Sequence, residues 1–562
     1  MPSSAVYPDI NIPDVDLWGL MFENEREEKF PVDKTIYRDA ITNRQYTYSG
    51  LRDAAIAFGQ GLRSAWDWKK GDIITLFTPN SIDMPVVIYG TFFAGGIVSP
   101  ANPSYSVDEL AFQLKDNGTK AIATFKSLLP IVTAAARKTG ISPGQIILIG
   151  DERDFSGQFR HVDEIMRATS PHGQLRARLN PDTDLAFLVY SSGTTGLPKG
   201  VILSHRNIVS NVLMVSSSVG KSYSWHKDKL IGILPFYHIY GLTCLIHQPL
   251  YRGIEMIAME RFDLETFLGT VQDEKITFVY LAPPVLVHLA NNPIVDKYDL
   301  SSLRMVTSGA APLTRELVDT VHKRLNIKIN QAYGLSETSP ITHTQPWDEW
   351  YTSVGSVGKL MPNLSAKYLS PDGGEVPTGQ DGELCLKGPS IFKGYLNNEE
   401  GTRNAFTSDG YFKTGDVGYH DSRHNFYITD RVKELIKYKG FQVAPAGEST
   451  SYLNETYLMA ITELEGLLIS HPTVADVAVI GVDQDHTEVP RAYIVLSHSV
   501  RESPTTAEVI RKWMDSKVSH HKKLRGGVRF VDQIPKSAAG KILRRNLKEI
   551  AKQEQASLQA KL

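Results

Sequence analysis

The sequence is poor in cysteine and has no long uninterrupted apolar run. Cys244 and Cys385 are its only cysteines, too few and too far apart for a disulfide framework or a cysteine-rich metal site. The most apolar stretch, residues 84–103, is broken by glycine and proline, so it predicts a buried helix and not a membrane span. The first residues have no basic segment followed by an apolar one, so we expect no secretory signal. A protein of a reducing compartment fits these absences.

The sequence also lacks an excess of charge of either sign. Its net charge of -2 argues against nucleic acid or an acidic membrane as the partner. Lysine and arginine nevertheless outnumber aspartate and glutamate after Arg511, in the segments HHKKLRGGVRF and KILRRNLK. Two interpretations stay open for this region: a solvated helix face, or a surface that contacts polyphosphate.

The pattern of apolar residues changes twice along the chain. Over residues 34–354, apolar runs of strand length alternate with helix-length periodic segments, which is typical of an α/β fold. Over residues 355–430 the helical period fades, and short strands between turn-rich segments predict a β subdomain. We therefore expect a large N-terminal domain of layered sheets and helices over residues 1–430. A small α+β domain should follow over residues 431–562.

A glycine- and hydroxyl-rich segment, SSGTTGLPKG at residues 191–200, is the most informative motif. It follows the apolar run LAFLVY. Glycines let backbone N–H groups and hydroxyls converge on a phosphate, and Lys199 adds positive charge. It is not the usual nucleotide-binding loop, because Gly200 follows Lys199 where that loop has serine or threonine. The motif predicts a polyphosphate cradle, with a plain flexible turn as the alternative.

This decapeptide resembles the AMP-binding signature of the adenylate-forming superfamily, which includes acyl-CoA synthetases and beetle luciferase. The resemblance extends from about residue 34 to residue 546 and is strongest to 4-coumarate:CoA ligases. Further blocks occur in the expected order: LPFYHIYGL, SGAAPL, NQAYGLSET, YFKTGDVGY, DRVKELIKYKGFQVAP and PKSAAGKILRR. The resemblance implies an ATP-dependent acyl-CoA synthetase with Mg²⁺. A carboxylic acid and ATP would give acyl-AMP and pyrophosphate, and coenzyme A would then take the acyl group and release AMP.

The implied nucleotide-binding residues come from these blocks. They are Ser191, Ser192, Gly193, Thr194, Thr195, Gly196, Lys199, Gln331, Ala332, Tyr333, Gly334, Ser336, Asp416, Arg431, Lys437 and Gln442.

Some of these side chains suit their roles on chemical grounds alone. The ring of Tyr333 can stack on adenine, and the carboxylate of Glu337 suits Mg²⁺, which prefers oxygen ligands. The carboxylate of Asp416 can accept hydrogen bonds from both ribose hydroxyls. Without the motifs, Glu337 would be interpreted as a solvated charge and Asp416 as a turn residue.

The resemblance assigns adenylate formation to Lys541. A cation at a helix N-terminus opposes the helix dipole, so stability alone does not favour a lysine there. In the family this lysine bridges the α-phosphate and the carboxylate, which stabilises the transition state electrostatically. Thioester formation is implied to follow a rotation of the mobile small domain about Asp430. His238 and Lys437 complete the implied catalytic set, with a satisfied core histidine as the alternative for His238.

The second half-reaction requires a coenzyme A path and an acyl pocket. Lys439 and Gly440 are the implied coenzyme A contacts. The implied pocket residues are His238, Tyr240, Cys244, Ser308, Gly309, Ala310, Gly334 and Pro340. Their small or apolar character predicts a mostly hydrophobic slot for an aryl, cinnamate-like acid or a medium-chain acid.

One segment departs from the family pattern. Residues 447–462, GESTSYLNETYLMAIT, stand where relatives run directly into the helix that begins with ELEGLL. The segment is polar and has no clear period, so a tolerated loop is one interpretation. The other is an unspliced intron, and whether a genuine insertion impairs activity through hinge motion stays open.

The chain ends in Ala560-Lys561-Leu562, close to the Ser-Lys-Leu address of peroxisomal proteins. We expect recognition by the peroxisomal import receptor, with the cytoplasm as the alternative location. Two alternative functions stay open: an adenylating enzyme that serves a carrier protein, and a non-catalytic acyl- or nucleotide-binding relative. The absence of a carrier segment argues against the first, and the presence of Lys541, Glu337 and Asp416 against the second.

Overall fold

A computed structural model describes most of the chain. The described residues are 3–26, 28–168, 175–191, 198–311, 313–431, 461–484, 487–497, 500–518, 523–536 and 542–559.

The strands of the described residues are numbered in chain order. They are β1 (Ser3–Ser4), β2 (Thr35–Asp39), β3 (Gln45–Thr47), β4 (Ile73–Phe77), β5 (Ile97–Ala101), β6 (Ala121–Thr124), β7 (Ile146–Leu148), β8 (Arg160–His161), β9 (Leu185–Ser191), β10 (Lys199–Ser204), β11 (Lys229–Gly232), β12 (Glu255–Ala258), β13 (Phe278–Leu281), β14 (Met305–Ser308), β15 (Lys328–Gly334), β16 (Ile341–Thr344), β17 (Lys359–Leu360), β18 (Ser365–Leu369), β19 (Gly382–Lys387), β20 (Gly394–Tyr395), β21 (Phe412–His420), β22 (Phe426–Arg431), β23 (Val474–Gln484), β24 (Thr487–Leu496) and β25 (Val528–Phe530).

The α-helices are numbered in the same way. They are α1 (Tyr48–Trp66), α2 (Met84–Ala94), α3 (Val107–Asn117), α4 (Leu129–Thr139), α5 (Val162–Arg167), α6 (His205–Val219), α7 (Ile239–Gly241), α8 (Gln248–Arg252), α9 (Leu264–Glu274), α10 (Pro283–Asn291), α11 (Arg315–Leu325), α12 (Glu399–Ala405), α13 (Ile461–Ile469), α14 (Pro504–Asp515) and α15 (Arg544–Gln559).

Two large sheets form the N-terminal body. The first has the order β20-β10-β9-β5-β4-β6-β7-β8, and the second has the order β17-β16-β15-β14-β13-β11-β12-β2-β3. Strands β9 to β8 of the first and β15 to β2 of the second run parallel to their neighbours. Helices connect these strands, as parallel pairing requires. The predicted α/β class with a large body and a smaller C-terminal part is confirmed.

The predicted buried helix over residues 84–103 is realised as α2, which leads into β5. Every residue of α2 is buried, and Gly95 ends the helix in the left-handed conformation with φ 87°. Gly95 thus breaks the apolar run, as its lack of a Cβ permits. No helix among the described residues is long and apolar enough to span a membrane.

The region of the predicted β subdomain contributes to more than one sheet. Strands β18, β19, β21 and β22 form an antiparallel sheet with β1 at its edge. Strands β17 and β20, from the same stretch of sequence, pair instead with the two large sheets. The predicted boundary after residue 430 falls inside β22, whose last residue is Arg431.

The C-terminal residues form a separate sheet of order β23-β24-β25. Leu464 of α13 and Met514 of α14 pack with Val479 and Ile494 in its apolar core. Leu547 of α15 packs in a second cluster on this sheet. The C-terminal residues therefore bury apolar surface of their own, as a domain with its own core does.

Parallel pairing determines where the functional side chains lie. Strands β13, β14 and β15 are adjacent, and Ser308 at the end of β14 pairs with Gln331 of β15. The carboxyl ends of these strands meet at one edge of the sheet, where open α/β sheets bind ligands. The segments SGAAPL and NQAYGLSET both begin at this edge.

Candidate active site

Tyr333, Asp416 and Arg431 form a hydrogen-bonded set at the end of β15. The Tyr333 hydroxyl donates to Asp416 Oδ2 at 2.6 Å, and Arg431 Nε lies 2.9 Å from Asp416 Oδ1. Asp416 and Arg431 are directly opposite each other on β21 and β22. Burial, followed by the charge of Asp416, raises the pKa of Tyr333, so its phenol stays a donor at neutral pH. Three predicted nucleotide residues therefore meet, and a carboxylate is held in a fixed orientation beside an aromatic ring.

His343 packs against Tyr333 and helps to hold this hydrogen-bonded set in place. It pairs with Tyr333 across β15 and β16, and the two ring centres are 5.6 Å apart. Burial lowers the pKa of His343 to about 3, so the imidazole is neutral at physiological pH. Its ring also packs 4.4 Å from that of Phe426 on β22. Sequence reasoning missed His343, because nothing marks a histidine in an apolar strand as a support for the neighbouring strand.

The described flanks of the glycine-rich segment belong to paired strands. Ser191 ends β9 and lies opposite Lys199, the first residue of β10. The ammonium of Lys199 is 4.9 Å from the ring centre of Tyr395. The Tyr395 hydroxyl donates to Glu337 Oε1 at 2.9 Å. Lys199 and Glu337, predicted to contact phosphate and metal, therefore contact the same tyrosine.

Glu337 fits a magnesium site of the kind that substrate phosphates complete. It lies in the short 3₁₀ turn Ser336–Thr338, directly after β15. Within the described ranges, no group of three or more histidine, cysteine, aspartate or glutamate residues could hold a metal by itself. Mg²⁺ is commonly held by one or two carboxylates together with phosphate oxygens and waters. A single carboxylate beside a segment predicted to bind phosphate matches that chemistry.

Two buried polar atoms at the same sheet edge have no hydrogen-bond partner among the described residues. They are Ser308 Oγ and Gln331 Nε2, on neighbouring strands and in register. The two residues are 2% and 6% exposed. A buried polar atom without a partner costs about 1–3 kcal/mol, so such atoms mark a place where a polar ligand group can compensate.

The predicted acyl-pocket residues come from two parts of the chain: the segment around α7, and the edge of the second sheet at the ends of β14 and β15. Tyr240 lies in α7 and Cys244 in the π-helical turn Leu242–His247 that joins α7 to α8. A Cβ at Gly309 would lie 3.2 Å from the Tyr240 ring, and one at Gly334 would lie 2.0 Å from the Pro340 carbonyl oxygen. Glycine at these positions thus permits close packing of the sheet edge against its neighbours.

The remaining pocket candidates differ in character. Cys244 is fully buried, and burial raises the pKa of its thiol, so it is a packed apolar side chain and not a nucleophile. Ala310 adopts a φ of 72°, a strained conformation for a residue with a side chain. His238 is half-buried and caps α7, its Nδ1 accepting from the Tyr240 N–H at 3.3 Å. A structural role for His238 is therefore present beside the predicted catalytic one.

Several predicted residues lie outside the described residues. They are Ser192, Gly193, Thr194, Thr195, Gly196, Lys437, Lys439, Gly440, Gln442 and Lys541, together with most of the segment 447–462 and the terminal Ala560, Lys561 and Leu562. Their roles stay predictions.

Two protein-family models match the chain. A family model described as "AMP-binding enzyme" matches residues 24–396, and one described as "AMP-binding enzyme C-terminal domain" matches residues 463–541.

Curated relatives match over almost the full chain. "Probable 4-coumarate--CoA ligase 1" of Dictyostelium discoideum is 36% identical, over 97% of each chain. "4-coumarate--CoA ligase 1" of Petroselinum crispum is also 36% identical, over 96% of this chain and 95% of the relative.

Solved structures of similar fold include both ATP-bound and adenylate-bound enzymes. ATP-bound MatB from Rhodopseudomonas palustris superposes with a TM-score of 0.81 at 26% identity, covering 96% of this chain and 99% of the other. The anthranilate CoA ligase AuaEII in complex with anthranoyl-AMP has a TM-score of 0.83, covering 97% and 99%. At 22% identity, the second likeness concerns the fold alone.

Proposed function

The chain belongs to the family of AMP-binding enzymes, and on that premise we propose that it is an AMP-forming acid–thiol ligase, an ATP-dependent acyl-CoA synthetase. The predicted resemblance to 4-coumarate:CoA ligases is confirmed by relatives that bear that name. The observation that carries the proposal is the set of Tyr333, Asp416 and Arg431 at the carboxyl end of β15. These residues offer a stacking ring, a ribose acceptor and a cation in one place.

The first half-reaction joins a carboxylate oxygen to the α-phosphorus of ATP and breaks the bond to the β-phosphate, so pyrophosphate leaves. Tyr333 stacks on the adenine, and Asp416 accepts from the ribose hydroxyls. Lys199 and the hydroxyls near it hold the phosphates, and Lys541 stabilises the charge that develops on the α-phosphate. Glu337 would hold Mg²⁺, which when bound would neutralise part of the phosphate charge.

The second half-reaction breaks the acyl–phosphate bond. The sulfur of coenzyme A attacks the acyl carbonyl carbon, the thiol proton is lost, and AMP leaves. Lys439 and Gly440 would contact coenzyme A after the small domain rotates about Asp430, and Lys437 and Gln442 would contact the adenylate. Arg431, the last residue of β22, directly follows the proposed hinge residue Asp430 and forms an ion pair with Asp416. Hinge rotation would thus start beside the ribose site.

The substrate we propose is an aryl, cinnamate-like acid or a medium-chain acid. The wall of the predicted pocket is apolar and aromatic, with Tyr240 packed edge-on against Tyr280 at 5.9 Å between ring centres. The absence of a Cβ at Gly309 lets the sheet edge approach the Tyr240 ring closely. A flat ring or a narrow chain suits a slot of this kind.

The proposed function predicts a coupled product pattern. Purified protein incubated with Mg²⁺-ATP and a panel of aryl and fatty acids should release pyrophosphate for a subset of acids, and thioester should form only when coenzyme A is added. Mass spectrometry of the thioester identifies the acid. Transfer to a phosphopantetheinylated carrier protein in preference to coenzyme A would instead indicate a carrier-serving enzyme. Nucleotide binding without pyrophosphate release for any acid would indicate a non-catalytic relative.

We propose a peroxisomal location, supported by the terminal tripeptide Ala560-Lys561-Leu562. A fluorescent protein fused ahead of residues 543–562 should enter peroxisomes, and the same fusion without the last three residues should stay in the cytoplasm. Identical distributions of the two fusions would contradict the proposal. Because the readout is import alone, it is independent of enzymatic activity.

A further inference from the structure

We propose that Tyr395 is a positioning residue that holds Glu337 and Lys199 in the arrangement that a metal-bound triphosphate requires. The inference rests on the proposed function and adds to it a residue that sequence reasoning missed. Tyr395 lies in the segment FKGYLNNEE, outside the motifs that carry the family resemblance.

The backbone around Tyr395 connects the two functional segments. On one side, Tyr395 pairs with Val201 of β10, and the Leu396 N–H donates to the Gly200 carbonyl at 2.8 Å. On the other side, the Phe392 N–H donates to the Glu337 carbonyl at 2.8 Å. Residues 392–396 therefore form a bridge between the strand that begins at Lys199 and the turn that contains Glu337.

The side chain of Tyr395 contacts the same two segments as its backbone. Its hydroxyl donates to Glu337 Oε1 at 2.9 Å, which fixes the orientation of the carboxylate. The face of its ring lies 4.9 Å from the ammonium of Lys199, within the range of a cation–π interaction. Tyrosine is suited to both contacts, because its ring attracts a cation while its hydroxyl donates to an anion.

Tyr395 itself is anchored independently of the nucleotide site. Its N–H donates to Thr402 Oγ1 of α12 at 2.8 Å, and its ring packs edge-on against Phe392 at 4.9 Å between centres. A Cβ at the preceding Gly394 would lie 2.7 Å from the Thr402 side chain, so α12 packs closely against this bridge. A rigidly held tyrosine can orient its partners before the nucleotide binds, which lowers the entropic cost of binding.

The test is the Mg²⁺ dependence of nucleotide binding. Calorimetry with α,β-methylene-ATP should show that Tyr395→Phe, which loses only the hydroxyl, needs about tenfold more Mg²⁺ for half-maximal binding, as expected for a lost hydrogen bond to a charged group. Binding of the analogue without Mg²⁺ should be unchanged in Tyr395→Phe and weaker in Tyr395→Leu, which also loses the ring beside Lys199. In a Glu337→Gln background, Tyr395→Phe should cause no further change, because its partner is already altered.

The matched control is Tyr190→Phe. Tyr190 also donates to a carboxylate, Asp116 Oδ2 at 2.6 Å, and its ring lies beside Gly200. In the described part of the chain, this hydrogen bond goes to Asp116 and not to Lys199 or Glu337. The inference is overturned if Tyr395→Phe keeps the wild-type Mg²⁺ dependence, if Tyr190→Phe shifts it equally, or if the Glu337→Gln effect adds in full. Since binding is measured and not turnover, a protein that binds the analogue but transfers no acyl group would contradict the proposed function and still decide the role of Tyr395.

Discussion

Replacing Lys541 with alanine should lower the rate of pyrophosphate release about a thousandfold, the upper range for removal of one group that stabilises transition-state charge. Thioester formation from supplied acyl-AMP and coenzyme A should remain close to the wild-type rate. The difference arises because Lys541 is predicted to contact the α-phosphate only while the adenylate forms. The small domain would rotate before the thiol attacks. Single-turnover assays of each half-reaction measure the two rates separately.

Arg545→Ala is the matched control for this substitution. Arg545 is close to Lys541 in sequence and carries the same charge. Its side chain is 60% exposed and bonds to Glu549 at 3.0 Å one helical turn away. Such exposed pairs contribute about 0–1 kcal/mol, so both half-reactions should keep their rates. Equal losses in the two half-reactions of Lys541→Ala would contradict a role confined to adenylate formation.

The sequence predicted the members of the nucleotide site better than their mutual contacts. Tyr333 and Asp416 were both identified from motifs, but the hydrogen bond between them joins residues 83 positions apart. Nothing in either motif indicates that the phenol donates to the carboxylate that is expected to hold ribose. Such a contact depends on how the antiparallel sheet that contains β21 packs against β15, and local patterns do not encode this packing.

The same limit explains the strands of the predicted β subdomain. Turn signals predicted a region of short strands over residues 355–430, where β17 to β22 lie, because turn residues are a local property. The partner of each strand is not local: β20 leaves its neighbours in sequence and pairs with β10. That single pairing brings Tyr395 to Lys199. A residue whose role arises from a long-range pairing was therefore the one that motif reasoning missed.

Replacing Asp416 with asparagine should weaken ATP binding about a hundredfold, which corresponds to two hydrogen bonds that involve a charged group. The carboxylate accepts from Tyr333 on one oxygen and from Arg431 on the other. An asparagine amide keeps one acceptor and turns an N–H₂ group toward a donor, so one contact becomes repulsive. Because an N–H₂ group replaces one carboxylate oxygen, the asparagine is also less able to accept hydrogen bonds from both ribose hydroxyls. Calorimetric titration with ATP in the absence of acid measures this effect directly.

Asp421→Asn separates this effect from a general loss of order in the sheet. Asp421 follows β21 and accepts hydrogen bonds from the Arg423 and Asn425 N–H groups, which stabilises the turn before β22. Its substitution should lower the unfolding temperature without changing ATP affinity, because it perturbs the turn of the hairpin and not the pairing of Asp416 with Arg431. Were Asp421→Asn to weaken ATP binding as much as Asp416→Asn, hairpin stability and not ribose recognition would account for both. If Asp416→Asn bound ATP normally, ribose would have to be held elsewhere, and the set of Tyr333, Asp416 and Arg431 would serve only to join β15 to β22.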